Sequence, residues 1–222
     1  MKNALKLFIL ITTIAISSTA SAAVKINHWQ TSTGAQVYFV ENHDLPIVDM
    51  AVNFPAGSAR DTKATSGVAG VTRYLMTLGA DGMNEEAITN AFADIGANMG
   101  GELDVDRAAF KLRTLTYESA KALETFNKIL HKPDFPQAIL EREKTRIVAG
   151  LKEAATQPES ISNKAFMQAL YPNHPYGMDE SGEIETINAL KREDLITFYN
   201  TFYTAKSAVI ALMGDMTEAQ AK

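Results

Sequence analysis

The chain has no cysteine. Disulfides, thiolate metal sites and a thiol nucleophile are therefore excluded, and an exported form must be stabilised by packing alone. It has only four histidines, His28, His43, His131 and His174, and no two of them stand three or four residues apart. A helical His pair for a metal is thus absent. Basic residues are outnumbered, 21 against 26, and form no cluster, which argues against a nucleic-acid partner. Past the first two dozen residues nothing is apolar enough to cross a bilayer, which needs about 20 apolar residues. No serine elbow is present either: Thr65-Ser66-Gly67 reads as a helix N-cap.

What is present begins with an export signal. Lys2 and Lys6 precede a short apolar core from Leu7 to Ile16, and Ala20-Ser21-Ala22 supplies small residues for cleavage after Ala22. Residues 1–22 are thus expected to be a signal peptide and 23–222 the mature domain. A bacterial periplasmic address is the simplest, with full secretion also open. Lys2 and Lys6 leave with the signal, so the mature chain is more acidic still. With 46% hydrophobic and 21% charged residues the composition is that of a globular protein.

Alternation and turn residues predict strands at 26–30, 36–40 and 47–54. Helices follow at about 68–78, stopped by Gly79 and Gly82, and at 84–95, stopped by Gly96. Strands are expected at 98–105 and 108–116. An amphipathic helix carries Leu123, Phe126, Ile129 and Leu130. A long charged helix spans about Gln137 to Ala155, and Pro158 opens another with Ile161, Phe166 and Leu170. Residues 171–177 read as a loop, 190–203 as a helix and 208–213 as a last strand. Strands and helices each come in runs. The fold class expected is α+β, with helices packed on a mostly antiparallel mixed sheet.

Several segments, in order, resemble the N-terminal half of peptidase family M16, the inverted-zinc-motif peptidases. Phe54-Pro55-Ala56-Gly57-Ser58-Ala59-Arg60-Asp61 is similar to the strand and turn before the family's metal helix. Gly67-Val68-Ala69 and Leu75-Met76 frame that helix. His174-Pro175-Tyr176-Gly177 with Gly182 resembles a characteristic loop. Glu193-Asp194-Leu195, Phe198-Tyr199, Tyr203 and Ala208 to Asp215 resemble the closing helix and strand. The resemblance runs from about Ile26 to Asp215 and implies the LuxS/MPP-like metallohydrolase fold. Full-length members carry two such halves, of which this chain resembles one.

Active relatives carry His-x-x-Glu-His on that helix. Positions i and i+4 stack on one face, so two imidazoles reach one zinc, and the Glu serves as general base. A further Glu on a later helix completes the ligands. Aligned on Gly67 and Leu75-Met76, the helix positions here are Gly70, Arg73 and Tyr74. The later ligand, counted back from Gln157-Pro158, falls at Gly150. Glycine offers no donor, and Arg is a permanent cation that repels zinc. Glu153 lies on another part of the helix face and does not substitute. The resemblance therefore implies no catalytic residue and no metal in this chain; zinc is expected only in an active relative or partner.

Glu141, Glu143 and Glu153, with Arg142, Lys144, Arg146 and Lys152, read as a solvated helix face with i,i+4 pairs. His43-Asp44 reads as a solvated turn and His174 as a loop constraint. The segment 98–103 is the candidate edge for an added peptide strand, with Met99, Gly100, Gly101, Glu102 and Leu103 as candidate substrate-binding residues. Relatives commonly carry Asn near the position of Gly100. The two glycines also fit a bulge or a close helix–strand approach. The resemblance implies a non-catalytic subunit that encloses peptide with a zinc-bearing M16 partner. A peptidase active by itself, and a peptide-binding scaffold without a proteolytic partner, are the alternatives.

Overall fold

The computed structural model describes residues 24–222, and the signal-peptide reading of residues 1–22 lies outside the described residues. Three strands open the described chain: β1 (Asn27–Gln30), β2 (Gln36–Glu41) and β3 (Ile47–Phe54). Helix α1 (Val68–Leu75) follows. A small hairpin, β4 (Gly79–Ala80) and β5 (Met83–Asn84), then leads into α2 (Glu85–Ala93). Strands β6 (Asn98–Gly100) and β7 (Ala108–Leu115) precede helices α3 (Ser119–His131), α4 (Gln137–Ala154) and α5 (Pro158–Leu170). The chain closes with α6 (Ile184–Ala189), α7 (Arg192–Phe202), β8 (Val209–Gly214) and α8 (Glu218–Ala221).

Six strands form one sheet in the order β1-β2-β8-β3-β7-β6. Strand β8 returns from the helices and inserts between β2 and β3, parallel to the first and antiparallel to the second. All other pairings are antiparallel. The fold is therefore α+β on a mixed, mostly antiparallel sheet, as the runs of elements predict.

Period-two alternation explains which face is covered. On β7, Phe110, Leu112 and Thr114 are buried, whereas Lys111 and Arg113 are exposed. Of their cross-strand partners on β3, Val52 opposite Phe110 is buried and Met50 opposite Leu112 is half-buried. The helices pack on the face that carries Val52, Phe54, Phe110 and Leu112, joined there by Leu75, Phe126, Ile129, Leu140 and Leu195. On the opposite face Asp49 receives both Arg113 donors, at 2.7 and 2.8 Å.

Helix α1 is central, with Val68, Ala69, Val71, Thr72 and Leu75 all buried. Its cap does not come from Thr65-Ser66-Gly67, because no side chain there bonds to the first turn. Buried Asp61 does the capping, accepting from the backbone N–H of Gly67 at 2.7 Å and of Ala69 at 3.1 Å. Gly67 has φ +95°, and a Cβ there would stand 2.5 Å from Ile187 Cδ1 and 3.1 Å from Gly182 Cα. The contact thus ties the helix start to the loop before α6.

Strand β6 is shorter than the 98–105 expectation. Gly101 turns away at φ +149°, and Asp104 Oδ1 closes a turn on the N–H groups of Asp106 and Arg107, both at 2.7 Å. Leu103 keeps a single bridge to Ala108. The β4–β5 hairpin, α6 and α8 are short elements that the periodicity does not announce.

Candidate functional site

Helices α1 and α4 pack side by side, and each presents a glycine to the space between them. Gly70 and Tyr74 from α1, Gly150 and Leu151 from α4, and Leu103 from the segment after β6 line one cleft of about 680 Å³. Helix α5 and the 176–181 loop close its other sides. Three of the four positions singled out from sequence are therefore neighbours, although Gly150 lies far along the chain from Gly70.

Arg73 points elsewhere. Its Nε and Nη2 both reach the carbonyl oxygen of Ala109 at 3.4 Å, and its guanidinium carbon sits 5.4 Å from the Phe110 ring centre. Burial pushes its pKa down, yet a guanidinium stays charged at any physiological pH. A fixed cation thus lies between α1 and β7, where it can neither accept a proton nor hold a metal.

Tyr74 is held by α4. The Arg146 guanidinium carbon lies 5.2 Å from the Tyr74 ring centre, and Arg146 Nε donates to Glu143 at 2.6 Å. Arg142 Nε donates to the other Glu143 oxygen at 2.8 Å. Glu143 is 2% exposed. Burial alone raises its pKa, but the hydrogen bonds from Arg146 and Arg142 together outweigh it and hold the carboxyl below its ordinary value. The solvated-face reading of this helix is therefore corrected. Glu143 is buried in a charge cluster, and Lys144 is buried with its Nζ donating to the Leu190 carbonyl at 3.0 Å. Glu141 and Glu153 do face solvent. One signal could have singled out Glu143: it precedes Gly150 by seven residues, two helical turns, and so shares its face.

The donor set does not fit zinc. Gly70 and Gly150 carry no ligating atom, Tyr74 lies under a cation, and Arg73 is itself a cation. Among the described residues no group of three His, Cys, Asp or Glu side chains gathers as a metal site. His43 is not a free turn residue, since its ring bonds Asp215 at 2.6 Å and Glu41 at 2.9 Å. His174 Nδ1 accepts from the Tyr176 N–H at 3.2 Å and so stiffens its loop.

The five candidate substrate-binding residues do not form one continuous surface. Met99 packs against the core, and Gly100 lies on β6 with open space where a Cβ would be. Gly101 is pinned: a Cβ there would stand 2.1 Å from the Ala109 oxygen and 2.5 Å from Arg73 Nη2. The close-approach reading therefore applies to Gly101. Glu102 turns out to Lys111 Nζ at 2.8 Å, while Leu103 turns into the cleft.

Residues 36–181 match the family described as Insulinase (Peptidase family M16). The chain belongs to peptidase family M16. This M16 chain superposes with a TM-score of 0.87 on a structure described as a peptidase M16 inactive domain from Pseudomonas fluorescens. The two are 32% identical, over 89% of this chain and 48% of that one. A probable mitochondrial-processing peptidase subunit beta of Arabidopsis thaliana is 23% identical over 82% of this chain and 34% of its own length. A protein named non-peptidase homolog YmxG, from Helicobacter pylori, is 22% identical over 81% of this chain and 42% of its own. The M16 chain thus spans less than half the length of each of these relatives.

Proposed function

We propose that this M16 chain is a non-catalytic, peptidase-like subunit that helps enclose peptide together with a zinc-bearing M16 partner, in the periplasm. One observation supports the reading: Gly70, Tyr74 and Gly150 converge on a single cleft, and none of the three carries an imidazole or a carboxylate. Arg73 adds a half-buried cation beside it. The similarity to an M16 inactive domain and to a non-peptidase homolog supports the same conclusion. Peptide is expected along β6, the last strand of the sheet, through main-chain hydrogen bonds. The periplasmic address rests on the export signal read at residues 1–22, with residues 23–222 as the mature domain.

The test has two arms. Purified protein is assayed for zinc by elemental analysis and for cleavage of fluorogenic peptides; the expected result is neither. Tagged protein is then recovered from a periplasmic extract, with a relative carrying His-x-x-Glu-His expected alongside it. Stoichiometric zinc with cleavage would overturn the non-catalytic reading, and recovery of no such relative would overturn the pairing.

A further inference from the structure

His43 stands in the turn between β2 and β3 with both ring nitrogens against carboxylates. Nδ1 lies 2.6 Å from Asp215 Oδ1, and Nε2 lies 2.9 Å from Glu41 Oε1. A neutral imidazole carries one N–H and one bare lone pair, so it can donate to only one of these oxygens. Its other nitrogen would then face a carboxylate with no proton between them. Only the imidazolium, with two N–H groups, satisfies both contacts. Neither carboxylate has another ion-pair partner among the described residues.

The bridge joins positions 172 residues apart, where the chain leaves the sheet. Asp215 directly follows β8, and its second oxygen accepts from Thr116 Oγ1, just past β7, at 3.2 Å. Asp44, the other charged group of the turn, accepts from Asn42 Nδ2 at 3.2 Å. Two backbone bonds accompany the bridge, from Asn42 N–H to the Gly214 oxygen at 3.0 Å and from Asp215 N–H to the Ile47 oxygen at 2.9 Å. Beyond them the segment 216–222 is lightly docked. Its Met216 and Ala221 rest on a small cluster of Phe39, Val48 and Leu212, Lys222 Nζ lies 5.3 Å from the Trp29 ring centre, and α8 is a single turn. A segment with so few apolar contacts opens at low cost, so an ion pair at its root has a large share in holding it.

We infer that His43 is a pH-sensitive clasp: as the imidazolium it fastens the exit of β8 to the β2–β3 turn, and on losing a proton it loosens residues 215–222. The hydrogen bonds to Asp215 first and Glu41 second raise the His43 pKa above the ordinary 6.5, and the same contact holds Asp215 below its ordinary value. The His43 contribution is therefore complete below pH 6.5 and is lost as the pH rises through the raised value. At the acid end the clasp is lost again when Asp215 takes a proton. Its groups face solvent, so salt weakens it.

NMR titration of the protein with 15N-labelled histidine tests the clasp. Both His43 ring nitrogens are expected to stay protonated to a pH above 6.5. Asp215→Asn should lower the His43 pKa, and Glu41→Gln should lower it by less; the second variant gives the reading independently should the first fail to fold. Amide exchange at Asp215 and Ala221, corrected for its intrinsic pH dependence, should rise about two- to fivefold as the pH crosses the His43 value, the range over which an exposed ion pair shifts a local equilibrium. His43→Gln should abolish this step. A His43 that titrates at or below 6.5, or that is unmoved in both carboxylate variants, would overturn the bridge. A raised His43 pKa with flat exchange across it would overturn the clasp, because the bridge would then hold nothing.

Discussion

Arg146 on α4 stacks on Tyr74 of α1, its guanidinium carbon 5.2 Å from the ring centre, and so latches the two walls of the cleft together. The same side chain is anchored by Glu143, which also holds Arg142. Arg142 in turn reaches Glu85 at the start of α2, at 2.9 Å. One buried carboxylate thus organises the contact between α1 and α4. A partly exposed cation–π contact contributes only about 0.5–1 kcal/mol, so the carboxylate is the stronger part of the latch.

Glu143→Ala should therefore cost about 1–3 kcal/mol, the range for losing hydrogen bonds to a charged group. The larger cost of breaking a buried pair does not apply in full, because Arg142 and Arg146 are half-exposed and regain water. Urea unfolding at neutral pH measures the loss. A folded-state pKa held below its ordinary value means that the Glu143 contribution is present above the unfolded carboxylate pKa. It is lost as the pH falls through the folded value. A variant with unchanged stability would show that the latch does not hold α4 against α1.

Asp61 should act in the opposite direction. Burial raises its pKa from 3.8 to about 6, and the N–H groups of Gly67 and Ala69 only partly offset this. The folded protein then keeps a proton that the unfolded chain releases, so stability falls as pH rises between about 4 and 6 and is flat above. The Asp61 share is at most about 3 kcal/mol, because each tenfold change in proton affinity is worth about 1.4 kcal/mol. Asp61→Asn should remove this slope, read by urea unfolding at pH 4.5 and 6.5. An equal slope in the variant would assign it to another group.

Much of this is legible in the chain itself. Alternation locates β3 to the residue, because one of its faces is buried and the other is not. The glycine-linked pieces of the α1 frame also point to the correct helix. The convergence of Gly70 and Gly150 is accessible only through the family resemblance, since two glycines carry no chemical signal of their own. Glu143 escapes a sequence reading because a charged run on a long helix normally faces water. Only its spacing of two helical turns from Gly150 marks it in the sequence. The cap on α1 escapes for a related reason: Asp61 acts from outside the N-cap position, where local capping rules do not look. The end of β6 depends on Gly101, whose φ records an approach to β7 that strand propensity does not contain.

Gly100 and Gly101 provide a direct contrast. Gly101→Ala forces a Cβ against the Ala109 carbonyl and Arg73 at an unfavourable φ, and should cost about 2 kcal/mol or more. Gly100→Ala meets open space at an ordinary φ and should fall within about 0.5 kcal/mol of wild type. Denaturant midpoints for the two variants check this. Equal effects would mean that Gly101 does not need its conformation.

The sharpest test of the site rebuilds what it lacks. Gly70→His, Arg73→Glu, Tyr74→His and Gly150→Glu together would place two imidazoles at i and i+4 on α1 opposite a carboxylate on α4. The cleft has room, since a Cβ at position 70 meets only ordinary contacts and one at 150 meets none. Arg73→Glu also removes the cation that sits beside Phe110. Removing Tyr74 leaves Arg146 paired to Glu143, so the latch weakens without collapsing. The rebuilt protein should take up one zinc, and zinc at a thousandfold excess over its dissociation constant should stabilise it by about 4 kcal/mol. Wild type should show neither uptake nor a thermal shift. Zinc bound equally by wild type would mean that its ligands lie elsewhere. Failure of the rebuilt chain to bind, if it still melts cooperatively, would mean that Gly70, Tyr74 and Gly150 do not occupy the metal positions of the family.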